Sequence, residues 1–354
     1  MRQRRIKVFL SSYGNMTQAQ CLNCRALAQY LDKTRFDVAI RTVYSGDLPI
    51  EPLAGVRRFH VRYPARIWEP IQFIRGLLWC DVAFLPSPEH WRWACGLLRM
   101  LRKKCFRTIE GVIDGVAYDR AVARFGSEDN IRRFYRQPDK VYAITKAMIE
   151  KNRCSIGLTN PDGVLYLGTD YAEFSAEKWV TTLTEVILIG ADLKRKGIDD
   201  YLVLAAKFSG LRFHVAGGSV GGIDYAKQCA DCGLVNIIFH GPVSHAQLAE
   251  LLKRVQLHIF PSRAEGFPKV TLETAAAGVP SVVYGDYGAT EWITSGQDGF
   301  VVSTVDEMAG IIRDLLAHPE KLQPLADGAR AMAQHFDWRV VIKDWEREIE
   351  GLVK

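Results

Sequence analysis

The chain of 354 residues contains no apolar run that could cross a bilayer. Its longest candidates, such as Val186–Gly190 and Val255–Pro261, stop far short of the roughly 20 residues that a membrane-spanning helix needs. The start of the chain is basic, but the apolar stretch that follows it is too short for a signal peptide. We therefore expect a cytoplasmic location.

Several nucleotide and metal motifs are also missing. Neither GxGxxG nor GxxxxGK[ST] occurs, and Gly217–Gly222 has the wrong spacing, so a dinucleotide site or a P-loop is poorly supported. No DxD pair occurs, and a metal-clamped diphosphate is not predicted. Two cysteine pairs have CxxC spacing but no histidine at ligand spacing, which favours packing over zinc or redox chemistry.

The charge is distributed unevenly along the chain. Residues 1–170 hold 28 Lys and Arg against 16 Asp and Glu, whereas residues 171–354 hold 18 against 24. A basic half beside an acidic half indicates that one domain faces something anionic, such as nucleic acid, phospholipid or a phosphorylated substrate. No motif that reads RNA or DNA is present, so a nucleic-acid partner is not predicted.

Apolar content of 48% excludes a disordered chain, and the length suggests two domains. Short β-rich runs alternate with helical stretches from Ile6 onward, and the alternation restarts at Glu185 after a polar segment. This pattern predicts an α/β protein with two Rossmann-like, doubly wound domains that face each other across a cleft. We place them at residues 1–170 and 185–336, with a linker over 171–184 and a C-terminal helix over 337–354 that packs back on the first domain.

The most informative segment runs from Phe260 to Pro280, as strand, loop and helix. Glu265 lies in the loop and Glu273 lies about one turn into the helix, whose first N–H groups have no partner within it. The segment could therefore bind an anion between two carboxylates, one for sugar hydroxyls and one for ribose hydroxyls. Taken by itself, the spacing also fits a helix start with acidic residues favoured by the dipole.

An ordered series of motifs lies between Leu167 and Val302. The segments are Leu167–Asp170, Ile187–Gly190, Lys194–Gly197, Phe213–Gly218, Ile238–Val243, Pro261–Ser262, Glu265–Pro268, Glu273, Ala277–Pro280 and Gly299–Val302. Through this series, residues 186–302 resemble the nucleotide-binding half of glycosyltransferase family 4, the group 1 retaining transferases with the GT-B fold. The N-terminal half resembles the family only loosely.

The resemblance implies roles for individual residues. Glu265 would contact the donor sugar and stabilise charge at the reacting carbon, Glu273 would bind the ribose, and Lys196 would neutralise the diphosphate of the leaving nucleotide. Gly14 would let the loop of the first domain close on the donor. Other expected donor-binding positions are Gly217, Gly241, Pro242 and Val243, and Gly266, Phe267, Pro268, Lys269 and Val270, the last group largely through backbone N–H groups.

Two positions depart from the family pattern. The family usually has Arg directly after Gly190, where this chain has Ala191, and Lys194 or Arg195 could supply the missing charge. The family often has a His in a T-x-H-G element, where this chain has Glu110. Glu110 could face sugar hydroxyls or the acceptor as a catalytic group, or it could be a surface residue at a strand end.

The resemblance implies a retaining glycosyltransferase that moves a sugar from a nucleotide-diphosphate sugar, such as a UDP- or GDP-sugar, to a glycan or lipid-linked acceptor. It would work without cofactor or metal in polysaccharide or glycolipid assembly. One alternative is a GT-B relative that acts as a sugar phosphorylase or sugar-nucleotide epimerase. A non-catalytic binding protein with a basic N-terminal half is an alternative of another class.

The stretch Trp91–Lys104 is predicted to form an amphipathic helix. It could dock on an anionic membrane or reach an acceptor, which would place the protein peripherally on the inner face of the cytoplasmic membrane. It could equally cover the sheet with a solvated basic face. The patch comprises Trp91, Arg92, Trp93, Arg99, Arg102, Lys103 and Lys104.

Overall fold

The computed structural model describes residues 4–48, 53–159, 161–218 and 222–353. The chain divides into two compact units. The N-terminal unit holds the residues up to Leu167 together with those from Val341 onward, and the C-terminal unit holds Gly168–Val340.

In the N-terminal unit, strands alternate with helices around a parallel sheet. The described elements are β1 (Ile6–Tyr13), α1 (Ala19–Tyr30), β2 (Phe36–Val43), β3 (Val56–Val61), α2 (Ala65–Trp79), β4 (Val82–Phe84), α3 (Ala94–Met100), β5 (Lys104–Ile109), α4 (Gly115–Phe125), α5 (Glu128–Arg136), β6 (Lys140–Ala143), α6 (Lys146–Ile156) and β7 (Gly163–Val164). The strands lie in the order β3-β2-β1-β4-β5-β6-β7. The order reverses between β1 and β4, which is where doubly wound sheets bind ligands.

The C-terminal unit repeats this architecture. Its described elements are α7 (Tyr171–Phe174), β8 (Glu185–Gly190), α8 (Ile198–Lys207), β9 (Arg212–Gly217), α9 (Tyr225–Asp231), β10 (Ile237–Gly241), α10 (His245–Leu252), β11 (Leu257–Phe260), α11 (Lys269–Ala276), β12 (Ser281–Tyr284), β13 (Gly299–Val302), α12 (Val305–Ala317) and α13 (Leu322–His335). The sheet order is β10-β9-β8-β11-β12-β13, and all pairs are parallel. The predicted α/β, doubly wound fold class is confirmed.

Strand β8 sits at the reversal point of the second sheet. Val186, Ile187 and Leu188 are fully buried, as expected for a parallel strand covered on both faces. β8 pairs with β9 on one side and with β11 on the other. The loops that follow β8 and β11 therefore emerge side by side at the carboxyl edge of the sheet.

The last helix, α14 (Trp338–Val353), starts in the C-terminal unit and enters the N-terminal unit at Val341. Trp345 is fully buried there, and its indole N–H donates to the carbonyl of Tyr166 at 3.0 Å. Its ring packs edge-on against Phe84. Glu346 accepts a hydrogen bond from the backbone N–H of Asp32 at 2.8 Å.

The predicted helix over Trp91–Lys104 is wrong in extent, because α3 covers only Ala94–Met100. Arg102 adopts a left-handed conformation with φ 55°. The N–H of Lys103 donates to the carbonyl of Leu98, and that of Arg102 to the carbonyl of Arg99. These bonds form a Schellman motif that ends the helix, so that Lys104 can begin β5.

One further difference concerns a short element. Strand β3 was not predicted, because exposed Arg57 and Arg58 follow its first residue and it lacks an apolar run. It lies at the edge of its sheet, where burial on both faces is not required.

Candidate active site

The loops after β8 and β11 bring Lys196 and Glu265 together. Lys196 Nζ lies 2.8 Å from Glu265 Oε1, and only 11% and 8% of the two side chains are exposed. The two residues are 69 positions apart in sequence. They meet because β8 and β11 are neighbours in the sheet and both loops leave from its carboxyl edge.

Glu265 is held by further donors on the same oxygen. A terminal guanidinium nitrogen of Arg195 lies 2.8 Å from Oε1, and the hydroxyl of Ser262 lies 2.6 Å from it. No hydrogen bond from the described residues reaches Oε2. The carboxylate is therefore held through Oε1, and Oε2 is left for another hydrogen-bond donor.

Lys196 is a buried cation that lies over the aromatic ring of Phe260. Burial lowers its pKa, while the charge of Glu265 opposes that shift. The ammonium lies 4.8 Å from the centre of the Phe260 ring. Fully buried His258 contacts Ser281 Oγ through Nδ1 at 2.9 Å, and burial, with the charge of Lys196, lowers its pKa to about 3. His258 is therefore neutral near pH 7.

Two glycines allow this close approach of loops. Gly197 caps α8 with φ 82°, and a Cβ atom there would lie 2.1 Å from the carbonyl oxygen of Pro261. At Gly217, with φ 142°, a Cβ atom would lie 1.7 Å from the carbonyl oxygen of Gly190. A larger residue at either position would push apart the backbone that holds Lys196.

Helix α11 begins directly beside the Lys196–Glu265 pair. Pro268 precedes it, and its carbonyl accepts hydrogen bonds from the N–H and the hydroxyl of Thr271 at 3.0 and 2.8 Å. The first-turn amides, which include Lys269 and Val270, have no acceptor within their own helix. With the positive dipole end, they favour an anion at this point.

Glu273 lies one turn into α11 and is partly buried. Burial raises its pKa, and the charges of His245 and Lys269 oppose the rise. His245 in turn lies 3.0 Å from Glu173 through Nδ1. Glu273 is thus a partly buried carboxyl group with both positive and negative groups nearby.

The other predicted donor-binding residues of this unit lie along the same edge of the sheet. Strand β10 ends at Gly241, and a Cβ atom on Gly218 would lie 3.7 Å from Pro242, so the ends of β9 and β10 meet next to Val243. The Phe267 ring packs on Trp292 at 5.0 Å and is nearly buried. The ring of Phe267 is therefore engaged in packing, so Phe267 would contact a ligand through its backbone. The adjacent Gly266 would do the same.

Gly14 and Glu110 belong to the N-terminal unit. Gly14 follows β1, and its carbonyl accepts from Arg25 at 2.9 Å. Glu110 follows β5 and accepts hydrogen bonds from Thr108 Oγ1 at 2.7 Å and Asn23 Nδ2 at 3.0 Å. Both residues lie at the carboxyl edge of their own sheet, and Glu110 is fixed in one orientation.

Much of the predicted membrane or acceptor patch is engaged by its own unit. Trp91 packs edge-on against Phe125 at 5.6 Å, and Arg99 donates to the carbonyl of Gln137 at 3.2 Å. Lys103 donates to the carbonyl of Leu77 at 3.1 Å, and Lys104 pairs with Asp139 at 3.0 Å. Trp93 is more than one-third exposed, and Arg92 and Arg102 are also exposed.

Residues 172–332, which contain the Lys196–Glu265 pair and α11, match the family described as "Glycosyl transferases group 1". This match covers less than half of the chain. It agrees with the resemblance predicted for residues 186–302, and the matched segment contains the loops around Lys196 and Glu265.

This chain is similar to curated relatives that differ in their named products. It is 30% identical over 168 residues to the alpha-galactosylglucosyldiacylglycerol synthase of Streptococcus pneumoniae, an alignment that covers 46% of this chain and 44% of the relative. It is 30% identical over 190 residues to the glycogen synthase of Mycobacterium tuberculosis, covering 50% of this chain and 45% of the relative. The chain thus spans less than half the length of these relatives.

Solved structures match this chain over nearly its whole length. The sucrose-phosphate synthase of Thermosynechococcus elongatus has a TM-score of 0.78 at 17% identity, covering 98% of this chain and 99% of that one. The Anabaena protein HepE in complex with UDP-glucose has a TM-score of 0.75 at 16% identity, covering 98% and 100%. The fold is that of the GT-B glycosyltransferases.

Sequence alone left the role of Arg195 open. Lys194 and Arg195 were both possible substitutes for the charge that Ala191 lacks, but Lys194 pairs with Asp199, and Arg195 turns to Glu265. The hydroxyl of Ser262 and the buried ring of His258 were not predicted as parts of the site. Ser262 carried a weak signal, because a small polar residue one position after a strand end lies at the edge where ligands bind.

Two features are absent from the ranges that the structure describes. No helix there combines the length and the apolarity that crossing a bilayer requires. No group of three or more His, Cys, Asp or Glu side chains in those ranges could hold a metal ion.

Proposed function

We propose that the chain is a retaining glycosyltransferase that moves a sugar from a nucleotide-diphosphate sugar to a glycan or lipid-linked acceptor in polysaccharide or glycolipid assembly. The observation that carries the proposal is the contact of Lys196 with Glu265, next to the first turn of α11, at the reversal point of the second sheet. One cation, one helix terminus and one fixed carboxylate suit a phosphorylated sugar.

In this proposal the leaving nucleotide sits at Lys196 and α11. The anomeric C–O bond breaks, its electron pair goes to the diphosphate oxygen, and the sugar acquires oxocarbenium-like charge. Lys196 and the first amides of α11 stabilise the diphosphate that forms. Without donor, Glu265 is the anionic partner of Lys196, and in this proposal the diphosphate becomes a second one.

The carboxylates hold the two hydroxyl-bearing parts of the donor. Glu265 uses Oε2 for the sugar, while Lys196, Arg195 and Ser262 fix its other oxygen. Glu273 binds the ribose hydroxyls, and the partly buried setting that raises its pKa strengthens such hydrogen bonds.

Retention of configuration requires that the acceptor hydroxyl attack from the face that the diphosphate leaves. The acceptor proton passes to the departing phosphate oxygen, so that the products are the glycoside and the nucleoside diphosphate. Glu110 faces the acceptor in this proposal, and Gly14 lets the loop after β1 close on the donor. Hydrogen bonds from Thr108 and Asn23 hold the Glu110 carboxylate in one orientation, which supports a positioned carboxylate rather than a mobile surface group.

The class of acceptor is proposed from the names of the relatives. A diacylglycerol glycolipid synthase favours a lipid-linked acceptor, and a glycogen synthase favours a glycan. We further propose transfer without a bound metal, at the inner face of the cytoplasmic membrane. Transfer should then continue unchanged when a chelator is added, whereas a loss restored by Mg²⁺ or Mn²⁺ would contradict metal independence.

The first test is a thermal-shift screen of UDP- and GDP-sugars, because a ligand in excess over its dissociation constant raises the melting temperature. The donor found is then used to measure transfer by Glu265→Gln, which should be nearly inactive and should melt close to the wild type. Glu320→Gln, at an exposed site of the same unit, is the matched control. Full activity of Glu265→Gln, or donor turnover without any acceptor, would contradict this function.

A further inference from the structure

Helix α2 has an exposed face without acidic residues. Its exposed apolar residues are four and three positions apart, so they form one stripe along the helix. Between 38% and 54% of each of them is exposed. The stripe consists of Ile67, Ile71, Ile74 and Leu78, and the remaining exposed residues of α2 are Arg66 and Arg75.

This stripe is not the face that packs on the sheet. Phe73 and Leu77, on the opposite side of the helix, are buried in the core cluster with Phe9 and Phe59 of the sheet. The helix therefore has a second apolar face, beyond the one that its own fold uses. An exposed apolar stripe on a helix with a satisfied core face is typical of a docking surface.

Helix α3 packs on the same core cluster as α2, and exposed apolar residues lie at its two ends. Trp93, before α3, has its ring 5.8 Å from that of Phe73 of α2. Met100 and Leu101, at the end of α3, are 81% and 36% exposed. Lys103 ties the two helices together, because its ammonium donates to the carbonyl of Leu77.

The surroundings of the stripe are basic. Residues 53–104 contain ten Lys and Arg against three Asp and Glu. All three acids have cationic partners within the unit: Glu69 and Glu89 bind the buried Arg41, and Asp81 binds Arg4. The acidic residues of this region are therefore already paired, and the region around the stripe carries a net positive charge.

We propose that the stripe of α2 docks on the surface of an anionic lipid bilayer. The apolar side chains enter the boundary between head groups and acyl chains, and Arg66 and Arg75 bind lipid phosphates. The charge favours lipid over a second copy, since a two-fold contact would bring the same arginines of both copies face to face. The docking specifies the membrane partner of the proposed transferase, but its measurement needs no donor and no transfer.

The test is co-sedimentation with vesicles of phosphatidylcholine, alone or with phosphatidylglycerol. We expect binding only to the anionic vesicles and a decrease as salt rises. Ile71→Gln/Ile74→Gln should lower the partition coefficient about tenfold or more, since the apolar contribution is lost. The matched control is Val203→Gln/Leu316→Gln, at exposed apolar positions of the C-terminal unit, which should bind as the wild type does.

A second pair of variants keeps the test decisive if the glutamines disturb folding. Arg66→Glu/Arg75→Glu should abolish binding, whereas Arg120→Glu/Arg124→Glu, the same charge change at exposed positions of α4, should leave most of it. Melting curves verify the fold of each variant. Equal binding of the stripe and control variants, no binding by the wild type, or a dimer in light scattering that the stripe variant dissociates would each overturn the proposal. If the wild-type protein bound vesicles but transferred no sugar, that result would count against the proposed function and not against docking.

Discussion

Replacing Lys196 with methionine tests the centre of the proposed site. The two side chains are similar in length, so Lys196→Met removes the charge and preserves most of the packing over Phe260. Glu265 retains Arg195 and Ser262 as partners on the same oxygen. We therefore expect the variant to fold and to lose stabilisation of the leaving diphosphate.

The size of the effect follows from the charge and the burial of Lys196. At about 4 Å and an effective dielectric constant of about 20, two unit charges attract by about 4 kcal/mol. Since about 1.4 kcal/mol corresponds to a factor of ten in rate, kcat/KM should fall about 10²- to 10³-fold, as it does when one donor to a developing anion is removed. A buried charge that loses its only partner costs about 3–5 kcal/mol of stability, and the remaining partners of Glu265 should hold the loss near 1 kcal/mol.

The assay follows release of the nucleoside diphosphate in the presence of donor and acceptor, with urea unfolding as the measure of stability. Lys194→Met is the matched control, because Lys194 is two positions away and pairs with Asp199 instead of Glu265. The control should keep kcat/KM within about twofold of the wild type, as expected for an exposed charge. Equal losses in the two variants, or a Lys196→Met enzyme with more than about half of wild-type activity, would refute the role of Lys196.

Three further predictions concern pH, loop packing and the N-terminal unit. Because burial lowers the pKa of Lys196, the alkaline decline of kcat/KM should occur at a lower pH than an ordinary lysine would give. Lys196→Arg should move this decline to higher pH, and a decline that does not move would belong to another group. Gly197→Ala should cost at least about 1–3 kcal/mol in urea unfolding, since its Cβ would meet the Pro261 carbonyl and φ is 82°, whereas Gly310→Ala has open space and should be neutral or stabilising; equal stabilities would contradict the packing argument. Glu110→Gln should lower kcat at least about tenfold with an unchanged melting temperature, because an amide can keep the hydrogen bonds with Thr108 and Asn23; wild-type kcat would make Glu110 a structural residue.

The sequence carried enough local information to predict the fold class. Parallel strands buried on both faces are short apolar runs, as at Val186–Ile189, and their alternation with helical stretches indicates a doubly wound sheet. Elements without such a signal were missed or misjudged. The edge strand β3 has two exposed arginines after its first residue, and the end of α3 depends on a left-handed Arg102 that no periodicity marks.

The candidate site, like the fold, was predicted only in part from the sequence. Motif order was sufficient to single out Lys196, Glu265 and Glu273, because these residues lie in loops and a helix whose sequence pattern is local. The partners of Glu265 could not be assigned, since Arg195 and Lys194 are adjacent and equally basic. Which of the two turns toward the carboxylate depends on Asp199, which binds Lys194, and on the path of the loop after β11.

The sequence by itself determined that the chain alternates strands and helices, that it carries the group 1 glycosyltransferase motifs, and that its first half is basic. Only the tertiary structure decided that β8 and β11 are neighbours, which places Lys196 2.8 Å from Glu265 across 69 positions. It also decided that the exposed apolar face belongs to α2 rather than to a long helix over Trp91–Lys104. The reason is physical: burial and contact depend on what lies opposite a side chain, and strand pairing between distant segments sets that, whereas periodicity reports only on neighbours along the chain.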